Sequence, residues 1–294
     1  MSVAIKNVIL GDGKTKICVP IIGTSEQEIC NQAEEICNLE ADIVEWRVDF
    51  YDDVMDIPKV LALTTKLGVI LKEKPILFTF RTKAEGGEKE ISEEDYIILI
   101  KEVIKQNIVG AVDVELFKNE NILEDIVAFA RDYDVKVIAS NHDFEKTPDK
   151  EEIKRRLKLM KAKGANVSKM AVMPNSTEDV LTLLEATDEL YREEKDMVIV
   201  TMSMGSMGLI SRLGGGVFGS AMTFGARNEL GASAPGQIEV GKLKNILNII
   251  EKPTKGLKIR NATKRRQVKL KEGILNNEEF KMFWNKIKYK TTYS

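Results

Sequence analysis

The chain contains one histidine. His142 comes at the end of the apolar run Val137-Ile138-Ala139-Ser140, within Ser140-Asn141-His142-Asp143-Phe144. The next strand-like stretch, Val167-Ser168-Lys169-Met170-Ala171-Val172-Met173-Pro174, holds a lysine at its centre. An ammonium buried in a strand is costly unless it is paired or used. A lysine and an imidazole on successive strands point to imine chemistry on a carbonyl compound, with the amine attacking and the imidazole moving protons. A protonated imine is an electron sink that makes a neighbouring C–H removable. Lysine is the usual side chain to form one, provided its amine is neutral when it attacks. Cations such as Arg47 and Arg81 favour the neutral amine if they are close, and carboxylates oppose them.

Side chains alternate along a strand, so residues two apart share a face. Glu45, Arg47 and Asp49 share one, as do Thr79 with Arg81 and Asp113 with Glu115, while Lys169 shares its face with Val167 and Ala171. Most of these charges come late in their strands, at the end where α/β barrels build active sites. Each residue alone has a plainer reading. Arg47 suits a salt bridge to Glu45 or Asp113 that fills a barrel mouth. His142 suits a helix cap or a surface position. Lys169 suits an edge strand from which it snorkels to water, although a closed barrel has no edge. Their occurrence together on successive strands favours a site.

Strand-like runs at 17–22, 42–48, 75–81, 111–116, 136–140, 167–173, 197–202 and 221–225 alternate with amphipathic helical stretches. Eight such strands predict a single (β/α)8 TIM barrel. Ser25 with Glu28, and Ser92 with Asp95, make capping-box patterns. Thr147-Pro148 precedes the acidic turn of Asp149, Glu151 and Glu152, and Ser176 or Thr177 opens the helix bearing Val180, Leu183 and Leu184. The rival is a doubly wound open sheet, which wants a glycine-rich phosphate loop directly after an early strand. The Gly11-Asp12-Gly13 turn instead precedes the first expected strand, and Gly214-Gly215-Gly216 follows the seventh.

The 294 residues are 43% hydrophobic and 31% charged, enough apolar material for one large core. The net charge of −2 gives the barrel no reason to bind nucleic acid or membrane. Three cysteines are too few for a disulfide framework, and Cys18, Cys30 and Cys37 read as small buried hydrophobes. No Cys/His cluster has zinc spacing, so no metal is expected. A signal-peptide core and a membrane-length apolar run are both lacking, and a cytoplasmic location is expected.

A longer set of motifs resembles the type I 3-dehydroquinate dehydratase family. It runs through Glu45-Trp46-Arg47-Val48-Asp49, Phe80-Arg81-Thr82 with Glu85-Gly86-Gly87-Glu88, the His142 and Lys169 segments, Ser211-Arg212-Leu213, Val217-Phe218-Gly219-Ser220 and Ser233-Ala234-Pro235-Gly236-Gln237. These blocks keep the family's order over about residues 1–250, and together they are far more specific than any one of them. The resemblance implies dehydration of 3-dehydroquinate to 3-dehydroshikimate in the shikimate pathway, by syn elimination through a lysine imine. It makes Lys169 the imine-forming residue, His142 the general acid/base and Glu85 the carboxylate that orients it. It makes Arg212 the arginine on the substrate carboxylate and puts Ser233 and Gln237 on a closing loop. Glu45, Arg47 and Arg81 become the residues that grip the ring hydroxyls and bound the pocket. It further implies a small-molecule substrate, a homodimer, and neither metal nor organic cofactor. A class I imine-forming aldolase is one alternative, but it would not predict the Ser-Ala-Pro-Gly-Gln loop beside Arg212. A non-catalytic barrel sensing pathway metabolites is another, but it would not need the nucleophile.

Two segments depart from the family pattern. Residues 227–232, before Ser233, look slightly longer than usual. Residues 251–294 form a basic extension to the 1–250 barrel, with 13 Lys and Arg against 4 Asp and Glu, leaving 31 against 42 in the first 250 residues. Within it, 278–288 reads as an amphipathic helix with Phe280, Phe283, Trp284 and Ile287 on one face. A terminal helix docked on the barrel or on a dimer partner is one reading of it, and a basic anchor for a partner is another.

Overall fold

The computed structural model describes residues 1–116, 121–228 and 231–251. The segment expected as a helix at 278–288 lies outside the described residues.

Eight parallel strands form the sheet: β3 (Lys16–Ile21), β4 (Ile43–Arg47), β5 (Ile76–Thr79), β6 (Ala111–Glu115), β7 (Lys136–Asp143), β8 (Val167–Val172), β9 (Ile199–Ser203) and β10 (Met222–Phe224). Their order is β10-β3-β4-β5-β6-β7-β8-β9. Ala221 N–H donates to Ile199 O at 2.8 Å and brings the two ends of the sheet together into the expected barrel. Every one of the eight expected strands is present. The β5 strand stops at Thr79, leaving Arg81 in the following loop, while β7 runs on to Asp143 and takes His142 into the sheet. The turn at 11–13 is preceded by two strands that the sequence reading missed, β1 (Val3–Ile5) and β2 (Val8–Leu10), paired antiparallel. At three residues each they are too short for alternation to be legible.

The hairpin has a clear physical use. Ile5 and Leu10 are wholly buried in the barrel interior, against Cys18, Ile43, Leu77, Ala111, Ile138 and Val167. These form an apolar floor near the strand N-termini, each buried Ile, Leu or Val side chain contributing roughly 1.5–3 kcal/mol. Two residues further along, the same inward faces carry Glu45, Thr79, Asp113, Ser140 and Lys169, and beyond those Arg47, Glu115 and His142. The outward faces, including Val44, Trp46, Phe78, Val112 and Met170, pack under the helices in the larger core.

The helices are α1 (Glu26–Cys37), α2 (Ile57–Leu71), α3 (Glu93–Lys105), α4 (Ile122–Arg131), α5 (Lys150–Ala162), α6 (Thr177–Glu193), α7 (Leu209–Gly214) and α8 (Val240–Ile250). Ser176 and Asp179 make a reciprocal capping box at α6. At α1 only half of the expected box forms: Ser25 accepts from Glu28 N–H, while the Glu28 carboxylate turns to Thr24. Asp149 caps α5 by accepting from Glu152 N–H at 2.9 Å, so it stands before the first turn and not within it. The α2 helix had a legible start that the sequence reading passed over, Asp56 capping ahead of Pro58. Cys18 is buried as expected, whereas Cys30 and Cys37 are only half-buried, because they flank the buried stripe Ile29, Ala33 and Ile36.

Candidate active site

The apolar floor excludes water from beneath the polar layer, so the charged side chains above it must satisfy one another. Lys169, on β8, is 3% exposed. Its Nζ donates to Asp113 Oδ2 at 3.0 Å, stands 3.8 Å from Glu45 Oε1, and lies 4.7 Å from the centre of the Phe224 ring. Asp113 bridges two cations, because its Oδ1 also accepts from Arg81 Nη2 at 2.6 Å and from Ser140 Oγ at 2.6 Å. Burial works to raise the Asp113 carboxyl, but Arg81 and then Lys169 outweigh it and hold the group well below the usual carboxylate range.

Arg81 reaches back from its loop over the barrel mouth. Its Nη1 donates to Glu115 Oε1 at 2.9 Å and to Ser140 Oγ at 3.0 Å. Burial opposes its charge, yet Asp113, Glu115 and Glu85 raise the guanidinium well above its ordinary value. Arg47 pairs with neither Glu45 nor Asp113. Its Nε and Nη2 each lie 2.8 Å from the two oxygens of Asp49, which sits in the 3-10 turn Val48–Phe50 just past β4. The turn folds Asp49 back to form this bidentate pair, a geometry strand alternation does not reveal.

His142 lies on the inward face of β7. Strand register pairs Ser140 with Lys169 and His142 with Ala171, so the imidazole stands one inward position above the amine on the neighbouring strand. It is neither a helix cap nor a surface residue. Its Nδ1 is 2.9 Å from Glu85 Oε2, which also accepts from the His142 backbone N–H at 3.0 Å. Burial first, then Arg81 and Lys169, pull the imidazole well below its ordinary value, so the ring is neutral and one nitrogen is a bare base. Glu85 ends the 3-10 turn Lys83–Glu85. Burial pushes its carboxyl up to about 8; Glu115 adds to the rise, while Arg81 and the Asn141 amide oppose it.

Arg212, on α7, is 2% exposed. Its Nη2 donates to Pro235 O at 2.9 Å and its Nη1 approaches Met202 Sδ at 3.5 Å, while Nε has no partner. No carboxylate pairs with it among the described residues, and burial pulls the guanidinium down to about 10. An unpaired buried guanidinium is a ready site for a planar anion. The loop before α8 seats on the same rim. Ser233 N–H donates to Gln237 Oε1 at 3.0 Å, Gln237 Nε2 to Ser233 Oγ at 3.1 Å, and Gly205 N–H to Pro235 O at 3.2 Å. Residues 229 and 230, in the segment that looked long, lie outside the described residues.

All nine residues singled out from the sequence (Glu45, Arg47, Arg81, Glu85, His142, Lys169, Arg212, Ser233 and Gln237) line one pocket with about 430 Å³ of empty volume, partly open to solvent. Its concave lining, apolar with a few convergent charged groups, suits a small molecule. Met202, Met204, Phe224 and Phe144 line it too and were not picked out. The first three occupy inward positions late in β9 and β10, or just beyond, and alternation could have found them. Asp113 and Glu115 were recognised as sharing a face but not as the hub of the charge network. Among the described residues no His, Cys, Asp and Glu cluster could hold a metal ion, and no helix is long and apolar enough to cross a membrane. The pocket combines an amine, a neutral imidazole backed by a carboxyl group, and a guanidinium with no carboxylate partner among the described residues.

Residues 17–254 match the family model described as type I 3-dehydroquinase. The 3-dehydroquinate dehydratase of Clostridium botulinum (strain Eklund 17B / Type B) is 51% identical over 248 residues, covering 84% of this chain and 97% of that protein. The crystal structure of the type I enzyme from Clostridium difficile, with covalently modified comenic acid, is 48% identical with a TM-score of 0.82, covering 86% of this chain and 98% of that one. The 3-dehydroquinate dehydratase of Geobacillus kaustophilus HTA426 aligns with a TM-score of 0.83 at 36% identity, over 86% of this chain and 98% of that one.

Proposed function

The chain belongs to the type I 3-dehydroquinase family and dehydrates 3-dehydroquinate to 3-dehydroshikimate in the shikimate pathway, and from that premise we propose how its own residues carry the step. The single observation behind the proposal is that Lys169 and His142 share the inward face of adjacent strands, in a pocket that also holds the unpaired Arg212.

Arg212 holds the substrate carboxylate through paired N–H donors and so fixes the ring. The Lys169 amine attacks the C3 ketone, and the resulting carbinolamine loses water to give a protonated imine. Asp113 and Glu45, at 3.0 and 3.8 Å from Nζ, stabilise that cation as they stabilise the ammonium. The bare nitrogen of His142 takes a C2 proton, and the electron pair of the C–H bond moves into the imine to form an enamine. The enamine then expels the C1 hydroxyl, which leaves as water with the proton that His142 returns to it. Hydrolysis of the remaining imine frees Lys169 and the product. One group on one face serves both proton transfers, which is why a syn elimination suits a chain with one histidine. Glu85 keeps the imidazole aligned, Arg47 and Arg81 bound the pocket beside Glu45, and Ser233 and Gln237 close over the ring.

Two coarser readings accompany this one. The 1–250 region acts as the catalytic barrel and 251–294 as a separate basic extension. The barrel forms a homodimer, supported by the family resemblance and by the exposed apolar Leu181, Ile210 and Val217 on adjoining elements. Light scattering on the full chain tests the dimer, and a monomer at micromolar concentration would sink it.

The direct test of the mechanism is peptide-mapped mass spectrometry after borohydride reduction with 3-dehydroquinate. Reduction converts the imine to a secondary amine, and an adduct confined to Lys169 is expected. Folded, active protein that gives no adduct, or an adduct elsewhere, overturns it.

A further inference from the structure

Behind His142, a chain of hydrogen bonds crosses the barrel wall. Asn141 is the outward neighbour of His142 on β7 and is 5% exposed. Its Oδ1 accepts from Arg156 Nη1 at 2.9 Å, and its Nδ2 donates to Glu85 Oε1 at 3.1 Å. Arg156 lies on α5 outside the substrate pocket, and its Nε is anchored to Glu152 Oε1 at 2.6 Å.

Donor and acceptor rules give this chain a direction. A guanidinium can only donate, so the Asn141 oxygen must face Arg156 and the amide N–H₂ must face Glu85. The first carboxylate oxygen of Glu85 is thereby an acceptor. The second already accepts from the His142 backbone N–H. Both donors favour the ionised carboxylate. An ionised Glu85 in turn draws the imidazole proton to Nδ1, leaving Nε2 as the base. We infer that Arg156 and Asn141 are positioning residues that hold Glu85 as an acceptor through the barrel wall and so bias which nitrogen of His142 carries the proton. This rests on the reading of His142 as the proton carrier.

The surrounding charges show why such a device is useful. Arg81 Nη1, at 3.6 Å from Glu85, favours the carboxylate. Asp113 and Glu115 from β6 oppose it, and burial opposes it more strongly. Exposed Glu90 and Glu93 line the cleft on the outer side. Lys169 and Arg47 face His142 and disfavour an imidazolium. With its carboxyl pushed up to about 8, Glu85 holds a proton through the neutral range and becomes the ionised acceptor as pH rises through that value, so the relay acts on the acid limb. Without Arg156 the Asn141 amide can turn over, present its oxygen, and accept a hydrogen bond from a protonated Glu85.

The test is the pH profile of kcat for the full-length parent and for Arg156→Met, Arg156→Lys and Asn141→Asp. The acid limb of R156M should move up by about one pH unit, a roughly tenfold loss of kcat on that limb, with a retained alkaline plateau and KM within about twofold. R156K keeps a donor-only head and should stay near the parent. N141D removes the N–H donor and should move the limb the same way, and it carries the test if R156M fails to fold. A limb that stays in place, whether kcat falls uniformly or not at all, overturns the relay. Borohydride trapping on Lys169 and the His142→Ala variant keep the two levels apart. If H142A is trappable but nearly inactive while the R156M and N141D limbs do not move, the relay fails and the proton-carrier reading stands. A fully active H142A removes that reading and the relay with it.

Discussion

Replacing Arg212 with methionine should separate stability from activity. This guanidinium is 2% exposed with no carboxylate partner among the described residues, and burial pulls it from 12.5 down to about 10. A lowered value for a base means the folded state disfavours the charged form. Arginine is charged in both folded and unfolded chains at neutral pH, so the penalty acts at every pH below about 10. At about 1.4 kcal/mol per unit it amounts to roughly 3 kcal/mol. Methionine removes the charge, keeps much of the apolar volume, and forfeits the hydrogen bond to Pro235 O, a charged contact contributing roughly 1.5–3 kcal/mol. The net change in stability is therefore between zero and about +2 kcal/mol, an unfolding midpoint unchanged or a few degrees higher. Activity should move the other way. Truncating one partner of a buried charge pair costs roughly 2–5 kcal/mol, so kcat/KM should fall between about 30-fold and a few thousand-fold. Denaturant unfolding and steady-state kinetics on the same preparations read both quantities. A substrate-like carboxylate should raise the parent's melting point and leave that of R212M unmoved. If R212M lost more than about 2 kcal/mol of stability and kept its substrate affinity, Arg212 would be a structural arginine and the anion-site argument would fail.

Lys169→Ala should leave no reducible adduct and no turnover, whereas His142→Ala should still trap substrate while kcat drops roughly 10²–10⁴-fold; normal turnover by K169A would end the imine mechanism. The raised Glu85 carboxyl favours the folded state below its ordinary value of 4.5, and that contribution is lost as pH rises through about 8. The depressed His142 contributes the opposite slope, but only below 6.5, so between pH 6.5 and 8 the parent should lose stability with rising pH and Glu85→Gln should lose less; parallel slopes in urea unfolding would contradict the assignment. Gly86 has φ +81° and a Cβ there would collide with the Phe144 ring, so Gly86→Ala should cost about 1–2 kcal/mol in backbone strain and also raise KM by displacing a pocket wall; a KM equal to the parent's would show that Phe144 does not shape the site. Removing the α6 cap with Ser176→Ala should cost about 1 kcal/mol with kinetics unchanged, and chemical denaturation that detects no loss would show the capping box to be without weight.

Strand periodicity by itself determined which side chains share a face. Residues two apart must share a face, so Glu45 with Arg47, Asp113 with Glu115, and Lys169 with Val167 were assigned from spacing alone, and the inward core bears this out. The late position of the charges in their strands likewise told which end would be the polar mouth. Periodicity is silent where the chain leaves regular structure. Asp49 meets Arg47 only because a 3-10 turn folds it back. Arg81 reaches Asp113 and Glu115 from a loop, not from the strand it was assigned to. Arg212 comes from a six-residue helix that no stripe announces, and the β1–β2 floor is too short to carry a pattern. The choice of partner for each charge was also undetermined, because Glu45 and Asp113 were both open to Arg47 and neither proved to be its partner. That choice depends on the stagger between parallel strands and on loop path, which are collective properties of the closed sheet. The shifts at His142, Glu85 and Arg212 come from burial above a dry floor. They exist only once the hairpin and eight strands have removed the water, and for that reason the chemistry of these residues belongs to the tertiary structure while their identity and direction belong to the sequence.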